Sequence, residues 1–157
     1  MTNGTLSVPF VDLKAQYRQI ASEIHEAIDQ VMNNTAFVLG EAVERFEQAF
    51  AEYHEVGHCV AVSSGTASLH TALAALGVGS GDEVIVPANT FIATAEAVSH
   101  CGATPVFVDV RENDFCIDPE AADAAVGPRT RAIVPVHLFG QPAEIDQIAR
   151  IARDKGL

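Results

Sequence analysis

The residues best suited to chemistry gather in three turn-like stretches, each placed just after a short apolar run. The first is SSGTAS, residues 63–68, between the run His58 to Val62 and a helix-like stretch from Leu69 to Leu76. Ser64 or Ser63 can cap a helix there, and Gly65 lets backbone approach a ligand closely. The amides of Gly65, Thr66 and Ala67 would then face outward at the positive end of the helix, with the Thr66 hydroxyl as a further donor. Two readings stand at this point: a capped helix with no ligand, or a cradle for a phosphate. The second stretch is Pro87-Ala88-Asn89-Thr90-Phe91. A phenylalanine just beyond a polar loop is either a core ring or a flat lid for a planar ligand. The third is His137-Leu138-Phe139-Gly140-Gln141-Pro142, where His137 at a strand end reads as a hydrogen-bonded scaffold residue before it reads as a base.

Other constellations carry less. His54, His58 and Cys59 are close in sequence, but one is helical and two begin a strand, which does not suit exacting metal geometry. His100-Cys101 is weaker still. Neither a G-x-S-x-G elbow nor a P-loop lysine occurs. The pairs Glu112/Asp114 and Asp118/Glu120 read as a solvated face and a helix cap.

The elements that must position these turns follow from periodicity. Tyr17, Ile20, Ile24, Ile28 and Val31 draw one apolar helical stripe, with Asp12 as its N-cap. After the linker NNTAFVLG, Val43, Phe46, Phe50 and Tyr53 draw a second, with Glu41 and Glu44 near its positive end. Four apolar runs rich in Val and Ile then read as buried strands: His58–Val62, Glu83–Pro87, Val106–Val110 and Ala132–Val136. Helical stripes lie between them. One runs through Leu69, Leu73 and Leu76 and is closed by Gly77, and another through Thr94, Ala95, Val98 and Cys101 is closed by Gly102. Asp118-Pro119 opens a third, and Ile145, Ile148 and Ile151 form the last, with Arg150, Arg153, Lys155 and Gly156 at its end. The alternation predicts an α/β fold with a mostly parallel sheet and helices on both faces. In an open sheet of that kind, ligands bind beyond the carboxyl ends of the strands, which is where the three turns fall. The rhythm also predicts another strand where Leu157 stands, so the expectation is of a truncated chain with an incomplete α/β domain.

Composition bounds the partners. The 157 residues suit one domain with a real core, and a net charge of −12 with a pI near 4.7 repels a nucleic-acid backbone. Cys59, Cys101 and Cys116 have no CxxC spacing and read as small buried residues in a reducing compartment. No signal peptide is visible in MTNGTLSVPF, and no stretch approaches the roughly 18 apolar residues of a membrane helix. The expectation is a cytoplasmic protein with no nucleic-acid or membrane partner.

Together the motifs resemble a known family. SSGTASLHTALAALGVGSGDEVIVPANTFIATAEAVSHCGATPVFVDV is similar to the N-terminal half of the DegT/DnrJ/StrS sugar aminotransferases. PFVDLKAQY, FVLGEAVERFEQAFAEY and PVHLFGQPAEID fit the same family in the same order, from about Val8 to Leu157. The resemblance implies the aspartate-aminotransferase-like (fold type I) large domain, here incomplete. Residues 1–56 would be an N-terminal helical segment, and residues 57–157 the first part of the cofactor-binding domain. It further implies pyridoxal 5′-phosphate as cofactor, a homodimer when full length, and amino transfer from glutamate or glutamine to a nucleotide-linked keto sugar. In that pattern Gly65, Thr66 and Ala67 hold the cofactor's phosphate and Phe91 stacks on its pyridine ring. Helix-end amides suit the phosphate dianion, and a stacked ring orients the cofactor plane.

One departure matters. The family bonds the cofactor covalently through a lysine in an S-F-x-x-x-K type segment and places an aspartate on its ring nitrogen in a D-x-A-x-x-x-G segment. Neither segment occurs, and Lys14 and Lys155 stand outside any such motif. No catalytic residue is therefore assigned, and the chain alone is expected to be inactive. Two alternatives remain open from sequence: a sugar dehydratase of the same family, with histidine in place of the lysine, or a short non-catalytic protein that dimerises and binds phosphate.

Overall fold

The computed structural model describes residues 9–157; the first part of the stretch read for a signal peptide lies outside them. The chain divides into two compact units between Ala61 and Val62.

The first unit is helical. α1 spans Leu13–Asn33 and starts where expected, because the Asp12 carboxylate accepts from the Ala15 amide at 2.9 Å. α2 spans Glu41–Tyr53, with Glu41 and Glu44 in its first turn. Its apolar stripe holds Phe46 and Phe50 side by side, with ring centroids 5.5 Å apart.

The second unit is the α/β layer structure. In chain order it comprises α3 (Gly65–Ala75), β1 (Glu83–Pro87), α4 (Ala93–His100), β2 (Thr104–Val108), α5 (Pro119–Ala125), β3 (Thr130–Ile133), a 3₁₀ turn (Leu138–Gly140) and α6 (Ile145–Lys155). The three strands are parallel in the order β2-β1-β3, so β1 is central. Its side chains alternate between two cores. Val84 and Val86 pack with Leu73 of α3 and Ala97 and Val98 of α4, whereas Ile85 packs with Ile117, Ala122 of α5 and Ile148 of α6. Helices thus cover both faces, which is why β1 reads as an unbroken apolar run.

Helix ends fall where local chemistry puts them. Ser64, not Ser63, caps α3, and Asp118 caps α5 ahead of Pro119. Gly77, Gly102 and Gly156 take the left-handed backbone that ends α3, α4 and α6, at φ 78°, 78° and 73°.

The strands differ from expectation in two ways. First, His58–Val62 is not a strand. It has no ladder partner among the described residues, and the Ala61 amide donates instead to the Glu47 carboxylate at 2.7 Å. Val60 is 75% exposed, so an apolar run alone did not make a strand here. Second, the ladders of β2 and β3 begin two residues earlier than the apolar runs. Register is set at the amino edge, where Glu83 stands opposite both Thr104 and Thr130, and where Thr104 donates to the Asp82 carbonyl and Glu83 to that of Arg129. The ends of the runs peel away, Val110 into an isolated bridge with Ile117.

Among the cysteines, only Cys116 is buried; Cys59 and Cys101 are half-buried, so the expectation of three buried thiols holds for one.

Candidate functional site

Two of the three chemistry-bearing turns, those after β1 and β3, lie at the carboxyl edge of the sheet. The loops after β1 and β3 leave the carboxyl ends of adjacent strands toward helices on opposite faces, α4 with one core and α6 with the other. In open parallel sheets, ligands bind where loops from adjacent strands diverge in this way. Because His58–Val62 is not a strand, SSGTAS is placed by the elements after it in the chain. α3 ends in a turn that feeds the amino end of β1, and its 11 residues rise about 16 Å at 1.5 Å each. The 5 residues of β1 rise about the same distance in the opposite sense. An α3 running antiparallel to β1 would bring its N-terminus toward the carboxyl ends of the strands, and His70 in the middle of α3 lies beside the end of α4, where its carbonyl accepts from Cys101 Sγ at 3.8 Å.

At that terminus the hydrogen bonds can be accounted for one by one. The Ala67 amide donates to Ser64 Oγ at 3.1 Å, and the Ser68 amide to the Ser64 carbonyl at 2.9 Å. The amides of Gly65 and Thr66 have no acceptor among the described residues. A Cβ built on Gly65 would meet nothing within 4 Å, so no neighbour among the described residues demands glycine there. Two free amides, the Thr66 hydroxyl and open space in front of the helix end can hold an anion of phosphate type. Of the three amides expected to face a ligand, that of Ala67 is thus already engaged by the cap.

Phe91 lies in the loop between β1 and α4 and is 75% exposed, so it is not a core ring. Its carbonyl accepts from the Thr94 amide at 3.0 Å, which places it at the start of α4. His137 is a scaffold residue: its Nδ1 accepts from the Ala143 amide at 3.0 Å and fixes the turn between β3 and α6.

Sequence reasoning missed the ties between these loops. Asn89 Nδ2 donates to the Phe115 carbonyl at 3.0 Å, joining the loops after β1 and β2. Asp114, read as part of a solvated face, has a side chain only 13% exposed and is paired with Arg111. It also accepts from the Cys116 amide at 3.0 Å. Arg111 Nη1 reaches Glu144 Oε1 at 3.3 Å, beside the start of α6. The Cys116 amide and then the Arg111 guanidinium hold the Asp114 carboxyl below its ordinary value, and Asp114 in turn raises Arg111. The only signal in sequence was the clustering of Arg111, Asp114 and Cys116; Glu144 lies too far along the chain to be read with them.

No group of three or more His, Cys, Asp or Glu among the described residues is placed to hold a metal ion. No helix among them is long and apolar enough to cross a membrane.

The model of the DegT/DnrJ/EryC1/StrS aminotransferase family matches residues 18–157. The chain belongs to this family. It is 47% identical over 153 residues to dTDP-3-amino-3,4,6-trideoxy-alpha-D-glucose transaminase of Streptomyces venezuelae, covering 98% of this chain and 40% of that protein. The crystal structure of S. venezuelae DesV superposes with a TM-score of 0.95 at 47% identity, over 98% of this chain and 41% of that one. The structure of ntda from Bacillus subtilis, solved with bound cofactor PMP, superposes with a TM-score of 0.93 at 36% identity, over 100% of this chain and 37% of that one. The α/β unit is therefore an incomplete fold type I aminotransferase domain, and the chain spans about 40% of the length of the curated transaminase it matches.

Proposed function

We propose that these residues form the N-terminal part of a pyridoxal-phosphate-dependent aminotransferase that moves an amino group from glutamate or glutamine to a nucleotide-linked keto sugar. Residues 1–56 would be its N-terminal helical segment and residues 57–157 the first part of its cofactor-binding domain. The full-length protein would act as a homodimer in the cytoplasm.

The observation that carries the reading is the pair of unpartnered amides, Gly65 and Thr66, at the open N-terminus of α3. They suit a phosphate dianion without a compensating cation. The Thr66 hydroxyl would add a third donor. Ala67 would take part through the cap, since Ser64 must turn away before its amide is free. The exposed ring of Phe91 would lie against the pyridine plane. When bound, the cofactor supplies an electron sink for breaking a bond to the amino-bearing carbon. The part played by this chain is to anchor the phosphate and fix the ring. The residues that move protons are not assigned to it.

The test is amino transfer by the full-length protein. With glutamate or glutamine and a dTDP- or UDP-linked keto sugar, it should yield an amino sugar nucleotide detectable by mass. An unsaturated or deoxygenated product without nitrogen gain would point to the dehydratase reading instead. Absence of both products, with cofactor bound, would remove the sugar-nucleotide assignment.

A further inference from the structure

The loops at the carboxyl edge of the sheet are laced together by side chains to which phosphate binding and ring stacking give no role. Phe91 is the residue whose placement most needs explaining. The residue is 75% exposed and its ring pairs with no other aromatic among the described residues, so aromatic packing does not orient it. Its backbone must do so. The loop is fixed at one end by the Ala88 amide, which donates to the Val108 carbonyl at 2.9 Å, and at the other by Thr90 Oγ1 and Thr94 Oγ1 at 2.9 Å. Between them, the amide side chain of Asn89 reaches out of the loop to the Phe115 carbonyl at 3.0 Å, across 26 positions in sequence.

We propose that Asn89 is a positioning residue for Phe91: its side-chain amide pins the loop after β1 to the loop after β2 and so holds the Phe91 ring at the angle a bound pyridine plane requires. This rests on the proposed stacking of Phe91 on the cofactor. Because the acceptor is a carbonyl, the amide nitrogen must be the donor, and aspartate cannot replace it. An asparagine that merely formed a turn would bond its own loop two residues on; here the bond leaves the loop instead.

The acceptor is itself held. Phe115 has φ +58°, a left-handed backbone that residues other than glycine adopt only when their surroundings fix it. Its amide donates to the Arg111 carbonyl at 2.9 Å, and the Arg111 amide donates to the Cys116 carbonyl at 3.0 Å. Asp114 grips both the Cys116 amide and the Arg111 guanidinium. Arg111 then reaches Glu144, and Cys116 Sγ donates to the Gln141 carbonyl at 3.4 Å, which brings in the loop after β3. Asn89 is the point at which this lace meets the loop that carries Phe91.

The experiment uses full-length holoprotein and reads the circular dichroism that the protein induces in the cofactor band, which reports ring orientation. Asn89→Leu keeps the approximate volume and removes the donor. It should at least halve the induced signal and weaken pyridoxal 5′-phosphate binding by about 5- to 10-fold, the worth of one neutral hydrogen bond. Affinity for inorganic phosphate, which needs only the end of α3, should not change. Asp114→Asn should move the signal the same way, and the double variant should be no worse than the more affected single one, because both act through one chain of contacts. Asn89→Ala serves if the leucine variant does not fold. A normal induced signal in Asn89→Leu, with the signal lost in Phe91→Ala, overturns the role of Asn89 and leaves Phe91 in place. A normal signal in both variants overturns the Phe91 assignment and this proposal with it.

Discussion

Replacing Gly65 with alanine separates two demands that a glycine can satisfy. If the chain needs glycine for its own conformation, alanine destabilises the fold; if a ligand needs the space, alanine leaves the fold intact and spoils binding. Nothing among the described residues makes the first demand, so the proposed phosphate site implies the second. Gly65 is the first residue of α3, it is not in the left-handed region, and an added Cβ meets nothing within 4 Å. Alanine should therefore stabilise the cofactor-free protein by about 0.4–1 kcal/mol, because it narrows the unfolded ensemble at no steric cost. In the same protein the methyl would stand in front of the helix end and deny a phosphate oxygen one of the free amides. Losing one charge-assisted hydrogen bond costs about 1.5–3 kcal/mol, or about 10- to 100-fold in dissociation constant. Urea denaturation of the apoprotein gives the first number and a fluorescence titration with pyridoxal 5′-phosphate gives the second. Gly40 supplies the contrast: a Cβ there would sit 2.8 Å from the Ala36 carbonyl oxygen, so Gly40→Ala should destabilise. Unchanged affinity in Gly65→Ala would refute the close approach of phosphate, and a loss of stability would refute the open space on which the reasoning depends.

Other expectations come from the cores and the loop lace. Ile85 is fully buried on the face of β1 toward α5 and α6, so Ile85→Ala should cost about 2–5 kcal/mol by denaturation. Phe107→Ala, at a residue 55% exposed, should cost far less, and equal costs would contradict the assignment of faces. The Asp114 carboxyl is held below its ordinary value of 3.8, so its ionised form favours the folded state. The stability advantage of the wild type over Asp114→Asn should be fully present above that value and fade as pH falls through the lowered one. A difference that grew on acidification would have the wrong sign.

What the sequence made legible was whatever short-range chemistry decides. Asp12, Ser64 and Asp118-Pro119 start helices by bonding amides two or three residues away, and Gly77, Gly102 and Gly156 end them through backbone conformation. These features need no partner, and they were found within a residue or two. Strands need partners. His58–Val62 has the composition of a strand and no ladder, and β2 and β3 are set by what faces Glu83 instead of by where their apolar runs begin. The candidate site divides in the same way. Gly65, Thr66 and Ala67 could be read from one stretch of chain. Asn89 with Phe115, and Arg111 with Glu144, meet only through the sheet, 26 and 33 positions apart. The left-handed backbone of Phe115 and Phe139 also had no sequence sign, because neither residue type favours it.

The most direct test of the central claim is to follow the backbone amide resonances of Gly65 and Thr66 in the full-length protein while adding pyridoxal 5′-phosphate, and separately its dephosphorylated form, pyridoxal. The account predicts that both resonances move with the phosphorylated compound, saturating as it binds, and stay in place with pyridoxal. Saturable binding of the phosphorylated compound with both amides unmoved would contradict it.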